Sequence, residues 1–251
     1  MSNNHNVTSI KGEEYLKGIA IDIVIFGFNE NQLKVLLLEY KSTDLFGLPA
    51  GYILKNENLN DAAKRVVSER TSLKDIFIEQ FYVFGDTSRH DTKPIERILT
   101  AEGASTQSDH WLLDRFISVG YFALVDFKKA LPQPDQISDN CQWYDLSDLP
   151  NIMLDHNFII KKALETLQTN LDSKLIGFNL LAETFTMTEL QSVYETILNK
   201  KFQRTAFQRK MLSLSILERV AKRMTGGAHK APYLYRFIKK QNFTTIYLNI
   251  H

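Results

Sequence analysis

The sequence predicts an α+β domain with a mixed sheet over residues 1–170, followed by a smaller domain over residues 171–251 with two helices and a hairpin. Strand patterns, a helix, further strand patterns and another helix follow one another in the first part, which is the order expected of an α+β fold. The charge balance separates the two parts. Residues 1–175 carry 18 Lys and Arg against 25 Asp and Glu, whereas residues 176–251 carry 12 against 4. A basic second domain is typical of proteins that bind a polyanion.

The composition is that of a globular protein. Of the 251 residues, 44% are hydrophobic and 24% are charged, as in ordinary soluble domains. No apolar run approaches the ~18 residues that span a bilayer, and the polar start has no apolar core of signal-peptide length. We therefore expect a cytoplasmic protein with no membrane partner. The single cysteine, Cys141, excludes an intrachain disulfide and lies in a strand pattern, which favours a packed thiol over a nucleophile.

The first two strands form a hairpin. The run from Gly18 to Phe28 is rich in β-branched and aromatic residues, residues 29–31 are typical of a turn, and a second strand runs from Gln32 to Glu39. Helical spacing is found from Asn157 to Leu167, with Asp155 before it as a predicted N-cap. Three further strands are predicted between them, over Ile76 to Phe84, Ser118 to Asp126 and Cys141 to Leu146.

A loop and a helix follow the hairpin. The helix has one apolar face, made by the residues at helical spacing Leu59, Ala62, Ala63, Val66 and Val67.

Residues 51–73 resemble a Nudix box. Gly51 is followed after five residues by Glu57 and after seven more by Arg65, and the stretch from Arg65 to Leu73 occupies the closing part of the motif. The loop from Phe46 to Gly51 also looks like the loop of that family. The resemblance implies a Nudix fold, an α/β/α sandwich with a mixed sheet.

In the family, three glutamates on one helix face hold Mg²⁺ beside a pyrophosphate, and the matching positions here are Val66, Glu69 and Arg70. Magnesium prefers oxygen ligands, and the charge of Arg70 repels a cation. We therefore expect no metal, no cofactor and no catalytic residue. The alternative is an active, Mg-dependent pyrophosphohydrolase that acts on nucleoside diphosphate derivatives and takes the missing ligands from elsewhere.

Two features of the first domain have alternative interpretations. Glu57 and Arg65 correspond to a pair that braces the loop in the family, or they are two exposed charges. The long segment from Asp86 to Asp114 is a lid or contact element, or a disordered insert. Three histidines, at residues 90, 110 and 156, match no metal-binding spacing.

The second domain begins with a capping box at Thr186 and Glu189, followed by an amphipathic helix. A second helix from about Gln203 to Ser215 is predicted to bury Phe207, Met211 and Leu214. Two strand patterns, Leu217 to Met224 and Tyr233 to Ile238, then enclose a basic, glycine-rich tip. This order predicts a winged helix-turn-helix.

A winged helix-turn-helix suits double-stranded DNA, because its second helix enters the major groove and basic residues neutralise phosphates. The alternative is a basic face that binds a protein. The predicted DNA-binding residues are Arg204, Thr205, Gln208, Arg209, Lys210, Ser213, Lys222, Arg223, His229 and Lys230.

The stretch from Ile176 to Phe237 also resembles the C-terminal part of Nudix-related transcriptional regulators of the NrtR type. The carrying residues include Phe178 to Leu181, Glu189 to Gln191, Phe207 to Lys210 and Leu234 to Phe237. The resemblance implies a bacterial, homodimeric regulator that senses a small-molecule effector and binds a palindromic operator, with half-sites about one helical turn, ~34 Å, apart.

Family analogy favours a sugar or sugar derivative as effector and places an ADP-ribose-like nucleotide second. The predicted effector-binding residues lie on or near the loops of the family's cleft: Phe46, Glu69, Arg70, Arg89, His90 and Asp91.

Overall fold

The computed structural model describes residues 12–74, 76–104, 106, 110–171, 176–223 and 231–238. The chain divides into two compact units, Met1–Leu180 and Leu181–His251.

The first unit contains seven strands and three α-helices among its described residues. The strands are β1 (Tyr15–Asn29), β2 (Gln32–Tyr40), β3 (Phe46–Gly47), β4 (Ala50–Leu54), β5 (Phe77–Phe84), β6 (Ile117–Val125) and β7 (Ser138–Asp145). The helices are α1 (Leu59–Thr71), α2 (Lys93–Ala101) and α3 (His156–Asn170). Four short 3-10 helices accompany them, at Gly12–Glu14, Thr87–Arg89, Trp111–Leu113 and Ile176–Leu180.

The sheet is mixed, as predicted. Its strands run in the order β3-β2-β1-β6-β5, with β4 paired to β1 and β7 paired to β2. Strand β1 is parallel to β6, and its pairings with β2 and β4 are antiparallel. The long strand β1 thus connects its hairpin partner β2 to β6 and β5, the two strands on either side of the segment from Asp86 to Asp114.

Helices cover both faces of this sheet. Ile21, Ile23 and Ile25 of β1 belong to the same buried cluster as Val66 and Val67 of α1. Because side chains alternate along a strand, Asp22 lies on the opposite face, where the first residue of α3 approaches it. The fold is therefore an α/β/α sandwich with a mixed sheet.

The segment between β5 and β6 is largely structured. Helix α2 begins with a proline in its first turn, and Ile98 and Leu99 of this helix are buried. After residues that lie partly outside the described part of the chain, Trp111 packs against Tyr52 and Phe116. Of the two predicted alternatives, the described residues favour a lid or contact element, whereas residues 105 and 107–109, in the stretch predicted to be disordered, lie outside the described residues.

The lone cysteine lies on β7 and is buried. Burial raises the pKa of the Cys141 thiol to about 12, so the thiolate is not populated at neutral pH. The prediction of a packed thiol is confirmed. Within the described residues, no helix combines the length and the apolar content needed to cross a membrane.

The second unit contains α4 (Met187–Leu198) and α5 (Arg204–Ser213), and a small sheet of β8 (Phe185–Thr186), β9 (Leu217–Lys222) and β10 (Tyr233–Phe237). The strand order is β8-β10-β9. This is the predicted winged helix-turn-helix.

The capping box of α4 is present, with Thr186 and Glu189 each bonding the other's backbone N–H. Helix α5 buries Phe207 and Met211 as predicted. Leu214 is 41% exposed, so its predicted burial is wrong. The helix ends at Ser213, and Leu214 therefore no longer follows the buried helical face.

Candidate functional site

Glu57 and Arg65 brace the loop before α1. Arg65 donates two hydrogen bonds to the Glu57 carboxylate, at 2.8 and 2.9 Å, and a third to the carbonyl oxygen of Tyr52. Glu57 also accepts a bond from the backbone N–H of Leu54. The pairing with Arg65 holds the pKa of Glu57 below its usual value. The interpretation as two independent exposed charges is therefore wrong, and the loop is tied to the helix as the motif implies.

The three positions that match the metal-binding glutamates carry one carboxylate among them. Val66 is 1% exposed, and a Cβ added at Gly51 would lie 2.5 Å from its Cγ2. Glu69 is the one carboxylate of the three, and the guanidinium of Arg70 lies 3.9 Å from it. Magnesium takes several oxygen ligands, and the described residues contain no group of three or more His, Cys, Asp or Glu that could hold a metal ion.

These positions open onto a cleft of about 550 Å³, within the usual size range of small-molecule sites. We call it the large cleft. It is lined by Tyr15, Ala20, Tyr40, Ala50, Gly51, Tyr52, Arg65, Val66, Glu69, Arg70, Pro134, Asp135, Gln136 and Ile137.

Two tyrosines of the large cleft, Tyr40 and Tyr52, favour the protonated form. Burial raises the pKa of Tyr40 and of Tyr52 well above the ordinary value, and the neighbouring carboxylates add to the shift. Both hydroxyls are therefore neutral at physiological pH and can donate a hydrogen bond to a ligand.

A smaller cavity of about 150 Å³ adjoins the large cleft and shares Tyr40 and Tyr52 with it. Arg89 lines this cavity and is held in place by two carboxylates. Its guanidinium makes two bonds to the carboxylate of Asp155, at 2.9 and 3.0 Å, and one of 3.3 Å to Asp22. Asp155 is the residue before α3, but its side chain makes no capping bond. Asp155 is thus the N-cap residue of α3, as predicted, but Arg89 takes both of its carboxylate oxygens and leaves none for a capping bond.

The same network contains a buried histidine. His156 Nδ1 accepts a 3.0 Å bond from the backbone N–H of Leu48, and its Nε2 lies 3.8 Å from Asp22. Burial lowers the pKa of His156, although Asp22 opposes the shift. Ser118 donates a 2.5 Å bond to the other oxygen of Asp22. These groups are mutually satisfied and form the base of the smaller cavity.

The structure places the six predicted effector-binding residues at three locations. Glu69 and Arg70 line the large cleft, and Arg89, His90 and Asp91 line the smaller cavity. Phe46 lines neither; its ring packs edge-on against Tyr144. Its position on β3 directs it to β7 and away from both cavities.

Sequence reasoning missed the cleft residues that come from outside the motif. Tyr15, Tyr40 and Tyr52 lie on β1, β2 and β4, and Asp135 and Gln136 lie on the loop before β7. The three tyrosines of these strands were a signal in the sequence, because a tyrosine combines an apolar ring with a polar hydroxyl and suits a position that is only partly buried. No local pattern connects residue 135 to residue 70, because the fold alone brings them together.

Helix α5 presents a polar face in the second unit. Arg204, Thr205, Arg209, Lys210 and Ser213 are exposed, and Gln208 is half-buried. The Gln203 side chain caps the helix by accepting from the backbone N–H of Ala206 and from the Thr205 hydroxyl. The exposed N-terminal half of α5 therefore offers side chains that can reach a nucleic acid.

Of the four predicted DNA-binding residues of the wing, the structure describes Lys222 and Arg223. Lys222 is exposed at the end of β9. Arg223 forms a two-point ion pair with Glu189 of the capping box, at 2.8 and 3.2 Å, which fastens β9 to α4. The other two predicted contacts, His229 and Lys230, lie outside the described residues.

Comparison with known proteins gives matches for both units. The model of the NUDIX domain family matches residues 16–167, and the model of the NrtR DNA-binding winged helix domain matches residues 177–237. A curated relative, the ADPR responsive transcriptional repressor NtrR of Acinetobacter baylyi, is 28% identical over 226 residues, which are 87% of this chain and 81% of that protein.

Solved structures match most of the chain as well. Shewanella oneidensis NrtR complexed with a 27mer DNA is 28% identical, with a TM-score of 0.68, and the match covers 88% of this chain and 94% of that one. A MutT/nudix family protein from Enterococcus faecalis is 19% identical, with a TM-score of 0.65 and coverage of 89% and 87%. At 19% identity, the likeness to the Enterococcus faecalis protein concerns the fold alone.

Proposed function

Because this chain belongs to the NUDIX domain family and carries an NrtR DNA-binding winged helix domain, we propose that it is a transcriptional regulator whose Nudix domain senses an ADP-ribose-like nucleotide. The observation that carries the proposal is the combination of a braced, cleft-forming Nudix loop with a helix that has lost two of three metal-binding carboxylates. Such a cleft is suited to binding a nucleotide without cleaving it. Repression is the direction favoured, since the Acinetobacter relative is named a repressor.

The DNA-binding part of the proposal is supported by the second unit. Exposed Arg204, Arg209 and Lys210 on α5 provide cationic side chains at the position of a recognition helix. The Shewanella relative was solved with a 27mer DNA. We propose that α5 enters the major groove and that Lys222 on the wing neutralises a phosphate.

The nature of the effector is supported by the charge and shape of the large cleft. The sequence favoured a sugar, but two arginines and three tyrosines line this cleft. Arginines suit a phosphorylated ligand and aromatic rings suit a base, whereas an uncharged pentose has neither a phosphate nor a base. The Acinetobacter relative is named as ADPR responsive. We therefore place ADP-ribose before a sugar.

A homodimer remains part of the proposal. Strand β5 is an edge of the sheet, and Tyr82 and Val83 on it are 46% and 49% exposed. Exposed apolar side chains at an unpaired edge favour association with a second copy. Two identical winged helices would then read a palindromic operator.

The test starts from duplexes selected from a random library by the full-length protein. Fluorescence anisotropy then measures binding of the enriched duplex while ADP-ribose, arabinose or a sugar phosphate is added. We expect ADP-ribose to weaken duplex binding in a concentration-dependent way and the sugars to leave it unchanged. Enrichment of no duplex, or release by a sugar instead, would contradict the proposal.

A further inference from the structure

Arg70 occupies the position of a metal-binding glutamate, and its guanidinium has almost no hydrogen-bond partners in the part of the chain that the structure describes. Its Nε is buried and bonds no acceptor. Its Nη1 makes one bond, to the carbonyl oxygen of Pro134, at the 3.5 Å limit. Glu69 and Asp135 lie 3.9 and 3.8 Å from its Nη2, which is too far for a hydrogen bond. A guanidinium carries five N–H donors, so most of those of Arg70 have no acceptor among the described residues, and the side chain is 12% exposed where it lines the large cleft.

The nearby Asp135 does not supply the missing acceptor. Its Oδ1 already accepts bonds from the backbone N–H of Ile137 and from the Ser138 hydroxyl, at 3.1 and 2.7 Å. The other oxygen, Oδ2, is the one nearer Arg70, and at 3.8 Å from Nη2 it interacts by charge and not by a hydrogen bond. Glu69 is 45% exposed and lies 3.5 Å from Arg65, so it can stay with Arg65 when a ligand meets Arg70.

Arg65, the other arginine of the large cleft, is not available in the same way. It gives its Nε and Nη2 bonds to Glu57 and Tyr52 and is needed to hold the loop. Arg70 is thus the cleft cation whose donors can be transferred to a ligand.

We propose that Arg70 replaces the divalent metal of this fold and binds the diphosphate of the effector directly. The inference deepens the proposed function and rests on it. A planar guanidinium binds phosphate oxygens through two parallel N–H bonds. Unlike a metal ion, it neither coordinates a water nor lowers the pKa of that water. A cleft with Arg70 in this position binds a diphosphate and leaves its phosphoanhydride bond intact.

The test uses the full-length protein and two probes, ADP-ribose and inorganic pyrophosphate, titrated by calorimetry in EDTA and again in Mg²⁺. We expect the wild type to bind both probes in EDTA, that is, without any requirement for Mg²⁺. Arg70→Gln should weaken both probes by about 10- to 100-fold, since a charge-assisted pair is lost. The affinity of Arg70→Lys, which keeps the charge but lacks the planar guanidinium, should lie between the affinities of the wild type and of Arg70→Gln.

Lys64→Gln is the matched control, because Lys64 is an exposed cation on the same helix. The affinity of Lys64→Gln for both probes should equal that of the wild type. The thermal midpoints of Arg70→Gln, Arg70→Lys and Lys64→Gln should agree with one another. Wild-type binding that needs Mg²⁺, no wild-type binding of either probe in EDTA, or full affinity in Arg70→Gln would each overturn the inference.

Failure of the proposed function gives a different result. If ADP-ribose binds in an Arg70-dependent way but leaves the affinity for the selected duplex unchanged, the regulatory proposal is wrong and the Arg70 assignment is supported.

Discussion

The carboxylate of Glu57 receives two hydrogen bonds from the guanidinium of Arg65, eight residues later in the chain, at 2.8 and 2.9 Å. The pair closes the loop between β4 and α1, because Glu57 also accepts from the Leu54 N–H and Arg65 donates to the Tyr52 carbonyl. The side chains are 13% and 31% exposed, so water screens the interaction only in part. This pair fixes the wall of the large cleft independently of any metal.

Removing the carboxylate should destabilise the protein measurably. Glu57→Ala leaves the Arg65 guanidinium and the Leu54 N–H without their acceptor, and we expect the free energy of unfolding to fall by about 1.5–3 kcal/mol. Urea unfolding followed by circular dichroism measures it. Lys64→Ala, an exposed change on the same helix, serves as control and should stay within about 0.5 kcal/mol of the wild type. Equal stability of the two variants would contradict a bracing role.

A second change should stabilise the protein. Ser72 follows α1 with φ 59° and ψ 14°, and its N–H donates to the Ser68 carbonyl. This is the left-handed C-cap conformation that favours glycine, and the Nudix motif has glycine at this position. Ser72 is exposed, so Ser72→Gly should raise the free energy of unfolding by about 1 kcal/mol. Ser72→Ala keeps the backbone strain and should show no such gain in the same unfolding experiment.

The sequence predicted the parts of the site that are encoded locally. Gly51, Glu57 and Arg65 have fixed spacing in one loop and helix, and their contacts follow from that spacing. The helical period also placed Val66 on the buried face. These features depend on residues within one or two turns of each other.

The remaining parts of the site depend on the tertiary structure. Asp135 meets Arg70 only because the loop before β7 passes the end of α1. Arg89 was expected at a ligand, but Asp22 and Asp155 reach it from β1 and from the start of α3. No pattern within a short window could show that two carboxylates would enclose it.

The buried histidine should make stability dependent on pH in a defined window. Burial lowers the pKa of His156 in the folded protein, while the unfolded chain binds a proton near its ordinary value of about 6.5. Below about pH 6.5 the unfolded state binds more protons than the folded state. Protonation therefore stabilises the unfolded state, and the free energy of unfolding decreases as the pH falls. Above about pH 6.5 the imidazole is neutral in both states, so the full contribution of His156 to the free energy of unfolding is present. The groups facing the ring are Asp22, Asp155 and Arg89.

Urea unfolding between pH 7.5 and 5.5 tests this effect. The wild type should lose up to about 1.4 kcal/mol per pH unit below about pH 6.5. His156→Gln should show a shallower slope, whatever its absolute stability. His90→Gln is the control, since His90 is exposed, and it should keep the wild-type slope. Identical slopes in all three proteins would disprove the assignment to His156.

Hydrolysis is expected to be absent. With Val66 buried against Gly51 and Arg70 beside Glu69, the helix offers one carboxylate where magnesium needs several oxygens. We therefore expect no Mg²⁺-dependent release of phosphate or AMP from ADP-ribose or nucleoside triphosphates above a protein-free blank. A turnover that requires Mg²⁺ and disappears in Glu69→Ala would instead establish the pyrophosphohydrolase alternative.

Arg209 is the residue of α5 whose loss should affect DNA binding most clearly. It is exposed in the middle of the helix, so Arg209→Ala should keep the wild-type thermal midpoint. Losing one two-point contact to a base is expected to weaken binding of the selected duplex by about 10- to 100-fold. Lys64→Ala controls for the loss of one positive charge elsewhere and should retain wild-type affinity in the same anisotropy assay. An Arg209→Ala variant that binds as tightly as this control would remove Arg209 from the DNA interface and favour a protein-binding role for the basic face.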